Sequence, residues 1–244
     1  SFAMLLRIFI EGLPSMSEEW RTLFYALAVL TMTVGNFAAI TQTNIKRMLA
    51  YSSIAHAGYL LMGVVAGTPR GISAMLIYLF VYGLMQMGAF GIVVLMRRTD
   101  TVGDDIQDLN GLYFRNPMAA IAMLIFMLSL GGIPPTAGFM GKFWLFSAAI
   151  ESGYVWLAVI GVLNSAVSLY YYLRVVVFMW LKNEPTGSEP RMQPALALTL
   201  SVALAGTIVL GVFPRPLFET LADLEAAPRV LAADHLKEVV GHWL

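Results

Sequence analysis

The chain has 244 residues, of which 59% are hydrophobic and only 12% charged, with 15 basic against 15 acidic side chains. A soluble globular domain carries about 25% charged residues, so this composition describes a polytopic membrane protein, and zero net charge speaks against a nucleic-acid partner. With no cysteine, disulfides, thiolate chemistry and iron–sulfur ligation are excluded for the chain itself.

The three histidines, His56, His235 and His242, are too far apart for a metal-ligand spacing. No Gly-rich dinucleotide fingerprint, phosphate-binding loop or nucleophile elbow is present. Redox cofactors, where the function needs them, belong to other chains. The sequence opens Ser-Phe-Ala-Met-Leu-Leu-Arg, without an initiator methionine or a charged region ahead of a cleavage site. It reads as a helix cut mid-span, which marks the chain as the C-terminal part of a longer protein.

In chain order, residues 1–13 give a partial span that ends at Gly12-Leu13-Pro14. Residues 20–40 are long enough for the roughly 30 Å hydrocarbon core. The polar link Thr41-Gln42-Thr43-Asn44 leads to Lys46-Arg47 and a span to residue 66. A tight turn at 67–71 precedes a span over 72–96. The polar loop 97–116 holds four aspartates and three arginines. An apolar run from 117 to 150 follows, too long for one straight crossing. Residues 154–181 form another span, 182–193 a Pro/Gly/Glu loop, and 194–213 the last span. The tail 214–244 is polar, with amphipathic pieces at 221–231 and 235–243 that read as surface helices. Together these are six whole spans and one truncated one, five of them (20–181) forming one helical unit. The fold class is all-α, a transmembrane helix bundle.

Basic residues in alternate loops set the orientation. Lys46, Arg47, Arg97, Arg98, Arg115, Lys182 and Arg191 fall on one side. The opposite loops hold Arg21 and Arg70 with Glu11, Glu18, Glu19 and Glu151. The first side is therefore cytoplasmic, or its organellar equivalent, and the tail lies outside.

The long run carries the most informative stretch, Ser129-Leu130-Gly131-Gly132-Ile133-Pro134-Pro135-Thr136-Ala137-Gly138-Phe139-Met140-Gly141-Lys142. A proline in a helix interior costs about 3 kcal/mol and frees a carbonyl. In a bilayer such a break survives only where protein or a wet cavity covers it. Gly131, Gly132, Pro134, Pro135 and Gly138 thus mark two half-helices around 131–138. Lys142 sits just beyond, with no other charge before Glu151. A mid-span lysine costs about 2.5–3.5 kcal/mol on insertion scales, so it faces protein or water. Desolvation disfavours its charged form, which is the physics of a proton relay. The simpler alternative is a kinked helix whose lysine snorkels to the interface.

Neutral polar groups recur at helical spacing. Ser52, His56 and Tyr59 share one face of the second whole span, and Tyr82 and Gln86 are i,i+4 in the third. Asn164 and Ser168 are i,i+4 in the fifth, with Tyr170, Tyr171, Tyr172 and Arg174 toward its cytoplasmic end. Hydrogen-bond glue between helices, worth about 0.6 kcal/mol per bond, accounts for such groups one at a time. His56 differs, since histidine titrates near pH 6.5 and is a candidate shuttle. The three tyrosines read as an interfacial belt. No acidic residue lies mid-span, so a charged partner for Lys142 has to come from water, another subunit or a missing part of the chain.

The run Asn44-Ile45-Lys46-Arg47-Met48-Leu49-Ala50-Tyr51-Ser52-Ser53-Ile54-Ala55-His56-Ala57-Gly58-Tyr59 resembles the signature of the antiporter-like membrane subunits of proton-pumping NADH:quinone oxidoreductase, respiratory complex I. Residues 129–143 resemble that family's broken helix, and Asp108-Leu109-Asn110-Gly111-Leu112 the loop before it. A lysine in the second half-helix fits the branch called subunit N, subunit 2 in mitochondria.

The resemblance implies the second of two inverted five-helix repeats and the last helix, in a multi-pass protein of the bacterial or mitochondrial inner membrane. It implies that Lys142 exchanges protons with the exit side, while His56, Tyr59, Tyr82 and Gln86 line a water path. The chain would hold no cofactor, and NADH, FMN, iron–sulfur clusters and quinone would sit in partner subunits. Implied partners are two homologous antiporter-like subunits, a small three-helix subunit and the lipid bilayer. Relatives carry a histidine and a lysine in the helix before the broken one, where this sequence has Tyr82 and Gln86. A cation/proton antiporter or membrane-bound hydrogenase subunit of the same fold, and a scaffold whose polar groups serve packing alone, are the alternatives.

Overall fold

The computed structural model describes residues 2–97, 104–181, 194–217, 219–220 and 222. A short helix α1 (Phe2–Leu6) continues as a π-helical turn, Arg7–Glu11. After the 3-10 turn Pro14–Met16 comes α2 (Ser17–Ile40), with Glu18 and Glu19 in its first turn, where acidic side chains meet the positive end of the helix dipole. The Trp20 indole donates to Leu13 O at 3.1 Å and fixes the entry angle.

Helix α3 (Ile45–Ala66) is capped by Asn44, whose side chain accepts from Arg47 N, and it stops at Gly67 in the left-handed region. Helix α4 (Pro69–Arg97) begins at once, so the expected turn at 67–71 shrinks to Gly67-Thr68, with proline well placed as a first helical residue. Between α4 and the next long helix, Asn44 and Asp105 form an antiparallel bridge. Ile45 N bonds Asp104 O and Ile106 N bonds Thr43 O, each at 2.8 Å, and Lys46 pairs with Asp104. The segment before the broken helix is thereby pinned to the start of α3.

A single turn α5 (Leu112–Arg115) leads into α6 (Pro117–Gly131), capped by Asn116 on Ala119 N at 3.0 Å. Then follow α7 (Ala137–Glu151), α8 (Val155–Leu181) and α9 (Pro194–Val212). Among the described residues five helices are long and apolar enough to cross a membrane: Pro14–Ile40, Ile45–Ala66, Pro69–Met96, Val155–Leu181 and Pro194–Val212. The half-helices α6 and α7 lie in series between them in the chain.

Burial ranks these helices. In α3, 72% of the apolar window is buried, against 22% in α9, so α3 is the axis and α9 an edge. Helices α2, α4 and α7 pack on α3; α8 packs on α2, α6 and α7, and α9 on α4, α6 and α7. The loop 182–193, part of the loop 97–116, all but residue 222 of the expected surface helix at 221–231, and the one at 235–243 lie outside the described residues.

Candidate functional site

The break comes from residue chemistry. Helix α6 is capped by Gly132, which at φ +83° takes a left-handed conformation open to glycine, and its N–H bonds Leu128 O and Ser129 O at 3.0 Å. Residues 133–136 are non-helical and include a cis Pro134–Pro135 bond. The interruption is therefore 132–136, narrower than the 131–138 expected, because Gly131 still closes α6 and Gly138 already belongs to α7. A hydroxyl ties the halves together: Gly138 N donates to Ser129 Oγ at 3.1 Å. A Cβ at Gly138 would stand 1.9 Å from Ser129 O, so only glycine allows this approach. On the opposite flank the α9 backbone meets the break at Gly211, where a Cβ would lie 2.6 Å from Pro135 O and Ala137 N.

Carbonyls left without partners at the end of α6 are taken up by Lys142. Its Nζ donates to Leu130 O at 3.0 Å, Gly131 O at 3.4 Å and Ser165 Oγ of α8 at 2.9 Å. The ammonium thus occupies the negative end of the α6 dipole. The ring of Tyr59 presents its face to the ammonium, with the centroid 4.8 Å from Nζ. Lys142 is 3% exposed, which removes the snorkelling alternative. Ion pairs among the described residues include Lys46–Asp104, Arg70–Glu151 and Arg215–Glu219, and none of these involves Lys142. A salt-bridged Lys142, as a scaffold would have it, is absent among the described residues. A cavity of about 350 Å³ adjoins Lys142, lined by Gly131, Gly132, Phe143, Val162 and Ser165 among others, and opens between α7 and α8.

A second cluster lies around His56, which is buried on α3. Nδ1 is 2.6 Å from the Tyr78 hydroxyl and Nε2 is 3.1 Å from that of Tyr172. Tyr82 stacks on the imidazole at 4.6 Å between centroids, and Tyr59 meets it edge-on at 5.7 Å. Tyr59 therefore stands between His56 and Lys142. The hydroxyls of Tyr59 and Tyr82 and Oε1 of Gln86 are buried without a protein hydrogen-bond partner. Buried polar groups of this kind are places where ordered water is usually found. Gln86 Nε2 reaches Leu49 O at 3.5 Å. Asn36 of α2 donates to Asn164 O at 3.0 Å and accepts from the Tyr171 hydroxyl at 2.9 Å.

The structure thus brings Lys142, Tyr59, His56 and Tyr82 into one aromatic and polar cluster, with Gln86 one turn beyond Tyr82. The tyrosine belt needs correction. Tyr170 is 61% exposed, but Tyr171 and Tyr172 are fully buried, because helical periodicity turns both toward α2 and α3. Sequence reading passed over Tyr78, Ser165 and Asn36. Tyr78 lies four residues before Tyr82, a spacing that could have found it, and Asn36 is a lone amide in an apolar run.

Long apolar helices, one split around glycines and prolines with a buried lysine past the split, define a polytopic membrane protein of the broken-helix kind. Residues 1–168 match the family model described as NADH:quinone oxidoreductase/Mrp antiporter, transmembrane, and the chain belongs to that family. It is 50% identical over 87% of its length to NADH-quinone oxidoreductase subunit N of Trichlorobacter lovleyi and 49% identical over 89% to that of Moorella thermoacetica. These alignments cover 44% and 46% of the two relatives, so the chain spans about half the length of the curated relatives it matches. A chain of respiratory complex I from Thermus thermophilus superposes with TM-score 0.76 at 27% identity, covering 88% of this chain and 45% of that one. The Mrp complex of Dietzia sp. shares the fold, with TM-score 0.73 at 21% identity, over 85% of this chain and 47% of that one.

Proposed function

We propose that this chain is the proton-carrying half of a subunit N-type membrane subunit of NADH:quinone oxidoreductase, with Lys142 as the residue that loads and releases the proton. The observation that carries this reading is the setting of Lys142. An amine held by carbonyls and a hydroxyl, with no paired carboxylate among the described residues, is not locked in the charged form as an ion pair would lock it. His56, Tyr59, Tyr82 and Gln86 line the path, and the unpartnered hydroxyls of Tyr59 and Tyr82 give water a foothold between them.

Helices α2 to α8 act as one five-helix repeat and α9 as the last span, in the inner membrane, with the Lys46 and Arg115 end cytoplasmic. NADH, FMN, iron–sulfur clusters and quinone sit in partner subunits, and quinone chemistry drives the lysine through conformational or electrostatic coupling. The partners are two homologous antiporter-like subunits and a small three-helix subunit. Fold likeness to the Mrp complex supports a second reading, a cation/proton antiporter subunit. Co-purification with NADH-oxidising, iron–sulfur-bearing chains favours the first, and sodium-coupled transport without them the second.

Replacing Lys142 with alanine in the intact enzyme, reconstituted in vesicles, is expected to lower proton pumping and quinone reduction together while the complex still assembles. Unchanged pumping in an assembled variant removes Lys142 from the mechanism.

A further inference from the structure

We propose that Tyr78 and Tyr172 are the two hydrogen-bonding arms through which His56 takes up and passes on a proton, so that the path crosses from α8 through α3 to α4 at this ring. The inference rests on the proton-carrying reading above and assigns residues to it that the sequence left out. Four tyrosines surround the imidazole, and they divide by geometry. Tyr59 and Tyr82 touch it by edge and face. Only Tyr78 and Tyr172 place oxygens on its nitrogens, at 2.6 and 3.1 Å.

A neutral imidazole has one N–H donor and one bare nitrogen acceptor, whereas a phenol hydroxyl serves in either role. The two bonds must therefore have opposite sense: one phenol donates to the ring and the ring donates to the other. A proton transferred from a phenol to the bare nitrogen is matched by loss of the opposite N–H proton to the second phenol. The first phenol is refilled from its outer neighbour and the second gives up its original hydroxyl proton. One proton enters, one leaves, and the ring is neutral before and after, with its N–H moved from one nitrogen to the other.

Both arms are held in place. Tyr172 packs on Tyr171 at 4.5 Å between centroids, and Tyr171 in turn donates to Asn36 Oδ1, so the α8 arm joins the Asn36–Asn164 network. The Tyr78 ring lies against Gly141, the residue before Lys142, where a Cβ would stand 2.5 Å from Tyr78 Cδ2. That glycine makes room for the ring beside the lysine's own helix. Both tyrosines are fully buried, which keeps bulk water from short-circuiting the ring.

The test uses the full-length subunit in the assembled complex, in vesicles supplied with NADH and a quinone. Tyr78→Phe and Tyr172→Phe each remove one oxygen and keep the ring. Each is expected to slow pumping together with quinone reduction by about a hundredfold, the lower end of what a positioned proton-transfer group contributes. Each should also raise the solvent deuterium isotope effect, because proton transfer becomes the slow step. Tyr170→Phe, exposed and outside the cluster, is the control and stays unchanged.

Assembled phenylalanine variants that pump at the control rate overturn the proposal, as do slow variants with an unaltered isotope effect, which is the mark of a structural defect. Lys142→Ala in the same preparation separates the two levels. Normal pumping there removes the proton-carrying reading itself, whereas lost pumping there with normal pumping in both phenylalanine variants removes only the arms. If a variant fails to assemble, site-specific difluorotyrosine at 78 or 172 keeps the shape and makes the phenol more acidic. A shifted pH profile of pumping supports the arms, and an unshifted one overturns them.

Discussion

The Lys142 nest and the His56 cage lie on either side of the Tyr59 ring and solve the same problem by different means. At Lys142 a charge is kept out of water by main-chain oxygens, those of Leu130 and Gly131, which exist as free acceptors only because the helix is interrupted. At His56 a neutral ring is kept by two side-chain hydroxyls, and α3 stays unbroken around it. A cation in a low dielectric needs dipoles that are already oriented, and a helix end supplies them without the entropy loss of fixing extra side chains. A neutral group asks less. The interruption is thus part of the lysine's solvation as much as room for water.

The contrast breaks most sharply at Gly138. Ala at this position puts a Cβ onto Ser129 O, a backbone atom that cannot yield, and it should force the half-helices apart. We expect a loss of about 3 kcal/mol or more, the upper range for overpacking, read as failed assembly or a collapsed melting temperature in detergent.

A finer comparison sets Ser165→Ala against Tyr172→Phe. The first removes a bond to an ammonium, worth about 1.5–3 kcal/mol, and the second a bond between neutral groups, worth about 1 kcal/mol. Chemical denaturation of the two variants should rank them in that order. Equal losses would mean that the lysine is held in its neutral form, and would turn the contrast into a likeness.

The smallest effect is expected at Lys46→Ala. Its pairing with Asp104 involves side chains 28% and 40% exposed, so the loss stays under about 1 kcal/mol and shrinks with added salt. A larger, salt-independent loss would show that the Asn44–Asp105 bridge depends on this pair.

The same contrast explains what the sequence made legible. Gly131, Gly132, Pro134, Pro135 and Lys142 are anomalies in an apolar run, and anomalies announce themselves. The spans could be read for the same reason, since hydropathy alone marks residues that dissolve in lipid. The His56 cage is built of tyrosine, an ordinary residue in a membrane helix, so only tertiary placement separates arms from walls. Tyr172 was misread because α8 runs on to Leu181, nine residues later (181 − 172). At 1.5 Å per residue that places it about 13 Å inside the helix end, on the face that meets His56 of α3. Arg174, two residues on, donates to Ile40 O at 3.1 Å and to Gln42 O just beyond the end of α2.

The seat of Gly211 gives the break a handedness. On the α8 side the interruption is bordered by removable side chains and a hollow, while on the α9 side it abuts main chain with no room for even a methyl group. Lys142 therefore has a hollow on its α7–α8 flank, the Tyr59 ring on its α3 side, and closed main chain where α9 meets the break. A bulky residue at 211 would pry α9 away from the break and take from it the one wall that is made of main chain alone.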